Sequence, residues 1–455
     1  MNAYPIYFHE LQTGALVVFH DSTRILEARE KDAISLPAQN NIKYVPWGES
    51  NDAPLQIIDI IKKNPAAMRA LEMKLDVAYG GGVKVGKMVE GTFAPFTPEE
   101  LEAGELADVK LFLHDNDLDD FYSELFSDLL WFYWGAVEFI LSLDLPEKRR
   151  INRITTLEAT FSRWAITEDI IGITHHAYAA DWKQIDEKNT TITPALSARN
   201  PKQDLLRRIG REEYFVGKKL IKKDEKQFKY VLPIQVATPS KLYYPSPYWQ
   251  SIITSGWADY MNLIPVFKTA IMKNSATFRY VIEIDDNYFP TLFAKEMISD
   301  PEKQKERQQS EFQNIEKYLT GVEAAGKMFI TYTSMGGDGS LHAQISIKVL
   351  ENKIGGELID DTHEAVAMTL LAMGIHPSLI GVIPGKTTSN LSGSDKRELL
   401  RIAQSLQKRL RDKALKPLEI VKAVNNWPPY VTFAFSDIIL TTLDPGRETT
   451  EYYTS

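Results

Sequence analysis

Residues 246–274 read SPYWQSIITSGWADYMNLIPVFKTAIMKN, and the rest of the chain is read outward from them. Ser246 is a good N-cap, and Pro247 suits the first helical position. Trp249, Ile253, Trp257, Tyr260, Ile264, Phe267 and Ile271 follow at steps of three and four, which is the stripe of a helix. Run from Pro247 to Asn274, that helix is about 42 Å long at 1.5 Å per residue. Pro265 removes a backbone donor inside it and predicts a kink. So long a stripe is more than a single compact domain needs.

Downstream the chain becomes β-rich at Phe278, Tyr280, Ile282 and Ile284. Asp300-Pro301 opens a helix that Gly321 stops. Its first half, Glu302 to Glu311, carries no apolar side chain, so that half faces solvent or a polar partner. Strands are expected at 328–333 and 343–349, with Gly336-Gly337-Asp338-Gly339 turning between them. Helices follow at Glu357–Met373 and Asp395–Val424, separated by the Gly-, Ser- and Thr-rich segment Gly381 to Ser394, and Tyr430 to Phe435 forms a closing strand. Two long helices thus bracket a small domain, a stalk with a tip.

Upstream, Leu55, Ile58, Ile61, Met68, Leu71 and Leu75 predict a helix over 53–78, broken at Asn64-Pro65 and stopped by Gly80-Gly81-Gly82. A second helical block covers 106–134, within which the acidic run Asp115 to Asp120 starts a new helix. Gly135 then leads into a strand, Ala136 to Leu143, and residues 150–245 are β-rich.

Composition narrows the chemistry. A chain of 455 residues allows about three folding units. With 44% hydrophobic and 25% charged residues it is of globular composition, which excludes wholesale disorder. The absence of cysteine excludes disulfide scaffolds, zinc ribbons, iron–sulfur clusters and thiol nucleophiles. The histidines are scattered, none in an HExxH pattern, so no metal or cofactor is expected. A net charge of −9 argues against nonspecific coating of nucleic acid. The most apolar stretch, Leu125 to Leu141, is broken by Asp128, Gly135 and Glu138 and is short of a bilayer span. With no secretory signal in MNAYPIYFHELQTG, a soluble protein made in a reducing cytoplasm is expected.

Three segments imitate a phosphate-binding loop. Gly81 to Lys87 and Gly321 to Lys327 fit GxxxxGK, but Met88 and Met328 replace the hydroxyl that magnesium needs. Gly381 to Thr387 ends in GKT but is one residue short. None follows a strand and opens a helix, so Gly and Lys at turns are the better reading. The run at 115–120 resembles a calcium loop but has Asp120 in place of glycine and Phe126 in place of the bidentate Glu. Lys396, Arg397, Arg401, Lys408, Arg409, Arg411, Lys413 and Lys416 could face phosphates, but a solvated face beside Leu399, Ile402, Leu406 and Leu410 is favoured. Trp131, Phe132, Tyr133 and Trp134 read as core. No catalytic constellation emerges.

Several segments, in order, resemble the portal proteins of tailed bacteriophages. Tyr44-Val45-Pro46-Trp47-Gly48-Glu49-Ser50-Asn51-Asp52-Ala53-Pro54 is similar to their entry segment, aromatic-x-P-x-G-x-x-N-x-x-P. Asn64-Pro65 through Gly82 resembles the helix behind it and its glycine-rich end. Leu129 to Ile140, with Gly135, matches an apolar helix–Gly–strand step. Tyr244-Pro245-Ser246-Pro247 resembles the opening of the first stem helix. Gly374-Ile375-His376-Pro377-Ser378-Leu379-Ile380-Gly381 resembles the segment ahead of the tunnel loop. Thr388-Ser389-Asn390 and Lys416-Pro417-Leu418 fall at two further signatures. The resemblance covers roughly residues 40–435; each motif is weak alone, and their number and order carry it.

The resemblance implies an α+β, portal-type fold: an α/β wing (1–245), a first stem helix (246–274), a small α/β clip (275–349), a second stem helix (350–376), a tunnel loop (377–394) and a short C-terminal helical wing or crown region (395–455). It implies no enzyme but a ring, usually of twelve subunits, at one capsid vertex of a virion assembled in the host bacterial cytoplasm. Double-stranded DNA passes through that ring during packaging by the terminase large subunit and leaves through it on ejection. A head–tail adaptor and the major capsid or scaffolding protein are further implied partners, with no membrane. Pro384, Gly385, Lys386, Thr387, Thr388, Ser389 and Asn390 would face DNA, in a loop whose composition predicts mobility. Glu302, Lys303, Lys305, Glu306 and Arg307 of the clip helix would dock partners. Two other readings stay open: a nucleic-acid-processing enzyme (ATPase or nuclease) of a phage or prophage, and a non-viral structural protein that oligomerises through its long helix.

If the glycine–lysine segments are turns, replacing Lys87, Lys327 or Lys386 singly by Ala leaves no nucleotide hydrolysis to lose. Stoichiometric ATP binding abolished by any one of these changes would overturn that reading.

Overall fold

The computed structural model describes residues 6–10, 16–20, 34–36, 39–102, 104–145, 148–167, 170–186, 188–210, 215–216, 219–220, 226–239, 243–275, 280–320, 333–335, 341–343, 345–349, 354–381, 393–438 and 453–454. Its helices are α1 (Ala53–Lys62), α2 (Pro65–Tyr79), α3 (Pro98–Glu102), α4 (Ala107–Asp115), α5 (Leu118–Phe132), α6 (Pro201–Arg208), α7 (Ser251–Thr254), α8 (Trp257–Ser275), α9 (Tyr288–Lys295), α10 (Pro301–Thr320), α11 (Ile354–Met373), α12 (Pro377–Ile380), α13 (Gly393–Leu406), α14 (Lys408–Ala414) and α15 (Lys416–Val424). With the strands they make the α+β fold that the sequence predicts. The chain divides into two compact units, Met1–Leu263 with Asp361–Ser455, and Ile264–Asp360.

In the first unit, Asn64 caps α2 by accepting from Ala67 N–H at 3.1 Å, and Asp117 caps α5 by accepting from Asp120 N–H at 3.1 Å. The acidic run is therefore a helix start. α5 buries Phe121, Tyr122, Leu125, Phe126, Leu129 and Leu130 and forms the middle of the core. Tyr133, in the left-handed region at φ +58°, ends it and turns the chain into the strand Trp134–Leu141. That strand is central in an antiparallel sheet, flanked by Lys229–Gln235 and Ile151–Leu157. A five-stranded sheet runs Thr190–Pro194, Ile170–Ala179, Ser162–Thr167, Gln39–Tyr44, Ile34–Leu36.

The entry segment joins the two sheets. Trp47 stacks on Tyr244 with ring centres 4.8 Å apart and 6° between planes, and meets Phe132 at 5.0 Å and Trp134 at 5.2 Å. Tyr244 donates its hydroxyl to Val45 O at 2.6 Å and accepts from Trp164 N–H at 3.0 Å. Asn51, at φ +56°, accepts from Trp47 N–H at 2.9 Å and from Arg163 Nε at 2.6 Å. Arg163 also donates Nη2 to Asn51 O at 2.6 Å and Nη1 to Thr160 O and Ser162 O.

The triple glycine makes a second long-range joint. Gly80 has φ +61°, and a Cβ there would lie 2.3 Å from Ser436 O. Gly81 N–H donates to Ser436 O at 2.8 Å, Ser436 N–H donates to Gly82 O at 3.0 Å, and the strand Val83–Val89 pairs with Thr432–Ser436. Buried Arg411 donates to Ala78 O and Val77 O, both at 2.9 Å, and pairs with Asp437 at 2.5 Å. It thereby caps the negative end of α2.

Several expectations need correction. The helix expected from Pro247 to Asn274 is a 3₁₀ turn (Tyr248–Gln250), α7 and then α8, because Gly256 at φ +82° interrupts it. Trp249 and Ile253 are buried with α7, whereas Tyr260 and Phe267 of α8 are exposed, so the stripe is not continuous. The segment 395–424 is not one helix but part of α13, α14 and α15. The apolar stripe expected on it holds only in part: Leu410 is buried and Leu399 half-buried, but Leu400, Gln404 and Gln407 also face inward, while Ile402 and Leu406 are 56% and 67% exposed. Arg411, expected on the solvated face, is buried because α2 needs its donors. α6 and α9 escaped the sequence reading because each is a single short amphipathic helix of eight residues that follows a strand. The expected strand 328–333 lies mostly, and the turn 336–339 wholly, outside the described residues.

Asp128 on α5 accepts from Ala159 N–H at 3.0 Å. Burial, with Glu158 and Glu124 nearby, raises its pKa to about 8 against the pull of that N–H. The native state thus keeps a proton that the unfolded chain releases near pH 4, so stability falls as pH rises between about 4 and 8. Asp128→Asn is expected to flatten this slope and to raise the melting temperature at pH 8. Parallel pH profiles for the two proteins would refute it.

Candidate functional site

The unit Ile264–Asp360 starts within α8 and ends within α11. Its strand Tyr280–Ile284 pairs antiparallel with Ile345–Val349, Tyr280 opposite Val349 and Ile284 opposite Ile345. Asp300 begins α10: its carboxylate accepts from Glu302 N–H at 3.1 Å, and Pro301 fills the first position.

Arg307 is the strut between α9 and α10. Its Nε and Nη2 grip the two oxygens of Glu296 at 2.9 and 3.1 Å, and Nη1 reaches Glu311 at 2.7 Å. Tyr288 donates to the other oxygen of Glu311 at 3.1 Å. Glu296 and then Glu311 raise the pKa of Arg307, while Arg307 lowers that of Glu296. Beneath the strut, Phe289 meets Phe312 edge-on at 5.5 Å. Of the residues read from the sequence as a docking face, Glu302, Lys303, Lys305 and Glu306 are exposed side by side, and Arg307 is engaged internally.

Sequence reasoning missed Met297. It is 90% exposed and has φ +53°, so an apolar side chain stands on a left-handed residue between Glu296 and Ile298. The aromatic pair Tyr288-Phe289 followed by Leu292-Phe293 was the available signal for α9, obscured by Pro290 in its first turn.

α8 carries the larger apolar surface. Ala258 and Ile264 are buried, and Asn262 anchors the helix by donating to Ile60 O at 3.0 Å. On its outer side Tyr260, Leu263, Val266 and Phe267 are 39%, 48%, 64% and 53% exposed. Four such neighbours at helical spacing form a contiguous patch of the kind that marks an association surface.

Pro384, Gly385, Lys386, Thr387, Thr388, Ser389 and Asn390 lie outside the described residues, as does the segment 321–327. The first phosphate-loop mimic is a strand: Lys87 lies in Val83–Val89 and pairs with Glu100 at 2.7 Å. Among the described residues there is no group of three or more His, Cys, Asp or Glu able to hold a metal ion. No helix among them is long and apolar enough to cross a membrane.

No family model matches the chain, and no curated protein matches it in sequence. Solved structures do match. A chain of the virion of a native gene transfer agent (GTA) particle is similar with a TM-score of 0.50 at 12% identity, over 84% of this chain and 82% of that one. A chain of the neck of an empty GTA particle is similar with a TM-score of 0.52 at 12% identity, over 87% and 86%. The protein therefore shares a fold with components of phage-like particles, which agrees with the portal-type fold that the sequence motifs implied.

Arg307→Ala is expected to raise hydrogen exchange across Tyr288–Glu296, since two carboxylates lose one shared partner. Lys303→Ala should change stability by no more than about 0.5 kcal/mol. Equal effects of the two substitutions would contradict the strut.

Proposed function

We propose that this chain is the portal subunit of a phage-like particle, a closed ring through which double-stranded DNA enters and leaves a capsid. The observation that carries the reading is the exposed face Tyr260, Leu263, Val266 and Phe267 on a chain that shares its fold with GTA virion and neck chains. Apolar surface of that kind is best covered by a neighbouring copy, and heterologous contacts that close make rings. The empty GTA neck was computed with C6 symmetry, which rings of six or twelve copies both satisfy. Twelve is our assignment.

In this reading residues 275–349 form the clip, on which the terminase large subunit and later the head–tail adaptor dock. Glu302, Lys303, Lys305 and Glu306 are their contacts, with Arg307 holding α10 in place. The helices before and after the clip are the stem, residues 377–394 are the channel loop, and capsid or scaffolding protein meets the wing. The protein hydrolyses nothing; the motor is its partner. A net charge of −9 suits a conduit, because each phosphate that a channel neutralises adds affinity and would stall a moving duplex.

Native mass measurement should find a discrete species near twelve copies. Val266→Glu with Phe267→Glu should dissociate it while each subunit stays folded. A wild-type protein that remains monomeric at every concentration and salt would sink the proposal.

A further inference from the structure

The corner between α11 and α12 is closed by its own backbone and then by a distant side chain. Gly374, at φ +65°, ends α11. Its N–H donates to Leu371 O at 3.0 Å, and Ile375 N–H donates to Leu370 O at 3.2 Å. This is the paired Schellman arrangement, and the apolar residues that accompany it, Leu370 and Ile375, are both buried. Met373 O takes no part in either bond. It accepts from Lys74 Nζ at 2.9 Å, a contact that spans 299 positions of the chain.

Lys74 stands on α2, about one turn before the C-terminal carbonyls that Arg411 holds. Its ammonium meets the negative end of α11, where a cation is favoured. Burial lowers its pKa, so holding the charge there has a desolvation cost that an exposed lysine would escape. Past the corner, His376 caps α12 by accepting from Ser378 N–H at 3.3 Å. Leu379 and Ile380 lean half-buried on the core, and Gly381 at φ +107° ends the element. The direction in which the chain leaves Gly381 is therefore set at the end of α11.

We propose that Lys74 is a positioning residue, which locks the α11–α12 corner and so fixes where the chain departs towards residue 382. The functional weight of that position rests on reading the following segment as the channel loop. The lock itself does not, and the two are tested separately.

Hydrogen exchange on the purified full-length protein tests the lock. Lys74→Met keeps the apolar stem and removes the amine. It should speed exchange at Gly374, Ile375 and Ser378 by about 10- to 100-fold, the loss expected of one charge-assisted hydrogen bond, with α5 unchanged. Lys74→Arg should restore most of the protection. Unchanged exchange in Lys74→Met overturns the proposal, and so does faster exchange spread through α5, which would make Lys74 a general stability element. Failure of Arg to rescue overturns it as well. Particles carrying Lys74→Met should assemble rings of normal mass but retain less DNA. Normal retention beside a loosened corner would uphold the lock and overturn the channel-loop reading.

Discussion

The structure of the larger unit depends on a buried cation. Arg163 is 1% exposed, and its donors go to amide and carbonyl oxygens of Asn51, Thr160 and Ser162. Its guanidinium also lies over the rings of Trp47 and Trp182, at 5.7 and 5.0 Å. Burial lowers its pKa to about 10, so it remains charged at neutral pH. Removing one partner from such a site costs far more than the site itself contributes, because the groups left behind are buried and unpaired. Asn51 can hold its left-handed turn because Arg163 and Trp47 both claim its side chain. With that turn in place, Trp47 meets Tyr244, and the two sheets and the start of α7 become one body.

This explains which parts of the fold were legible. The entry motif, the Asn64 and Asp117 caps and the glycine stop after α2 are local instructions, each read from a few adjacent residues. The interruption at Gly256 was also local, but a strong apolar stripe on both sides hid it. The burial of Arg411 on α14 was not local. Arg411 is drawn inward by the carbonyls of Val77 and Ala78, some 330 positions away (334 and 333), and no property of residues 395–416 announces that demand.

The candidate site divides along the same line. The polarity of Glu302 to Glu311 was plain from the sequence, and the exposure of its charged residues follows from it. That Arg307 acts within the unit was not plain, because Glu296 sits at the C-cap of α9, a helix that the sequence pattern does not announce. Met297 needed the backbone: a left-handed methionine cannot be told from an ordinary one by spacing. The outward face of α8 was read as part of one longer stripe, more than a single domain can cover, and separating its exposed from its buried members required knowing that Ala258 and Ile264 are buried.

The joint between Gly80–Gly82 and Ser436 has a consequence for synthesis. The strand Val83–Val89 finds its inner partner only when Thr432–Ser436 appears, and Ser436 Oγ bonds Gly82 O across 354 positions. At ribosomal rates of about 5–20 residues per second that wait is roughly 20–70 s. Throughout it the nascent chain carries an unpaired strand edge and an α2 whose last carbonyls await Arg411, the state most open to chaperones and proteases. A ribosome that stalls or a message cut short before codon 436 leaves the edge open for good. Completion of the fold therefore waits on residues near position 436, so the inner edge of Val83–Val89 and the last carbonyls of α2 are among the last parts of this unit to be closed.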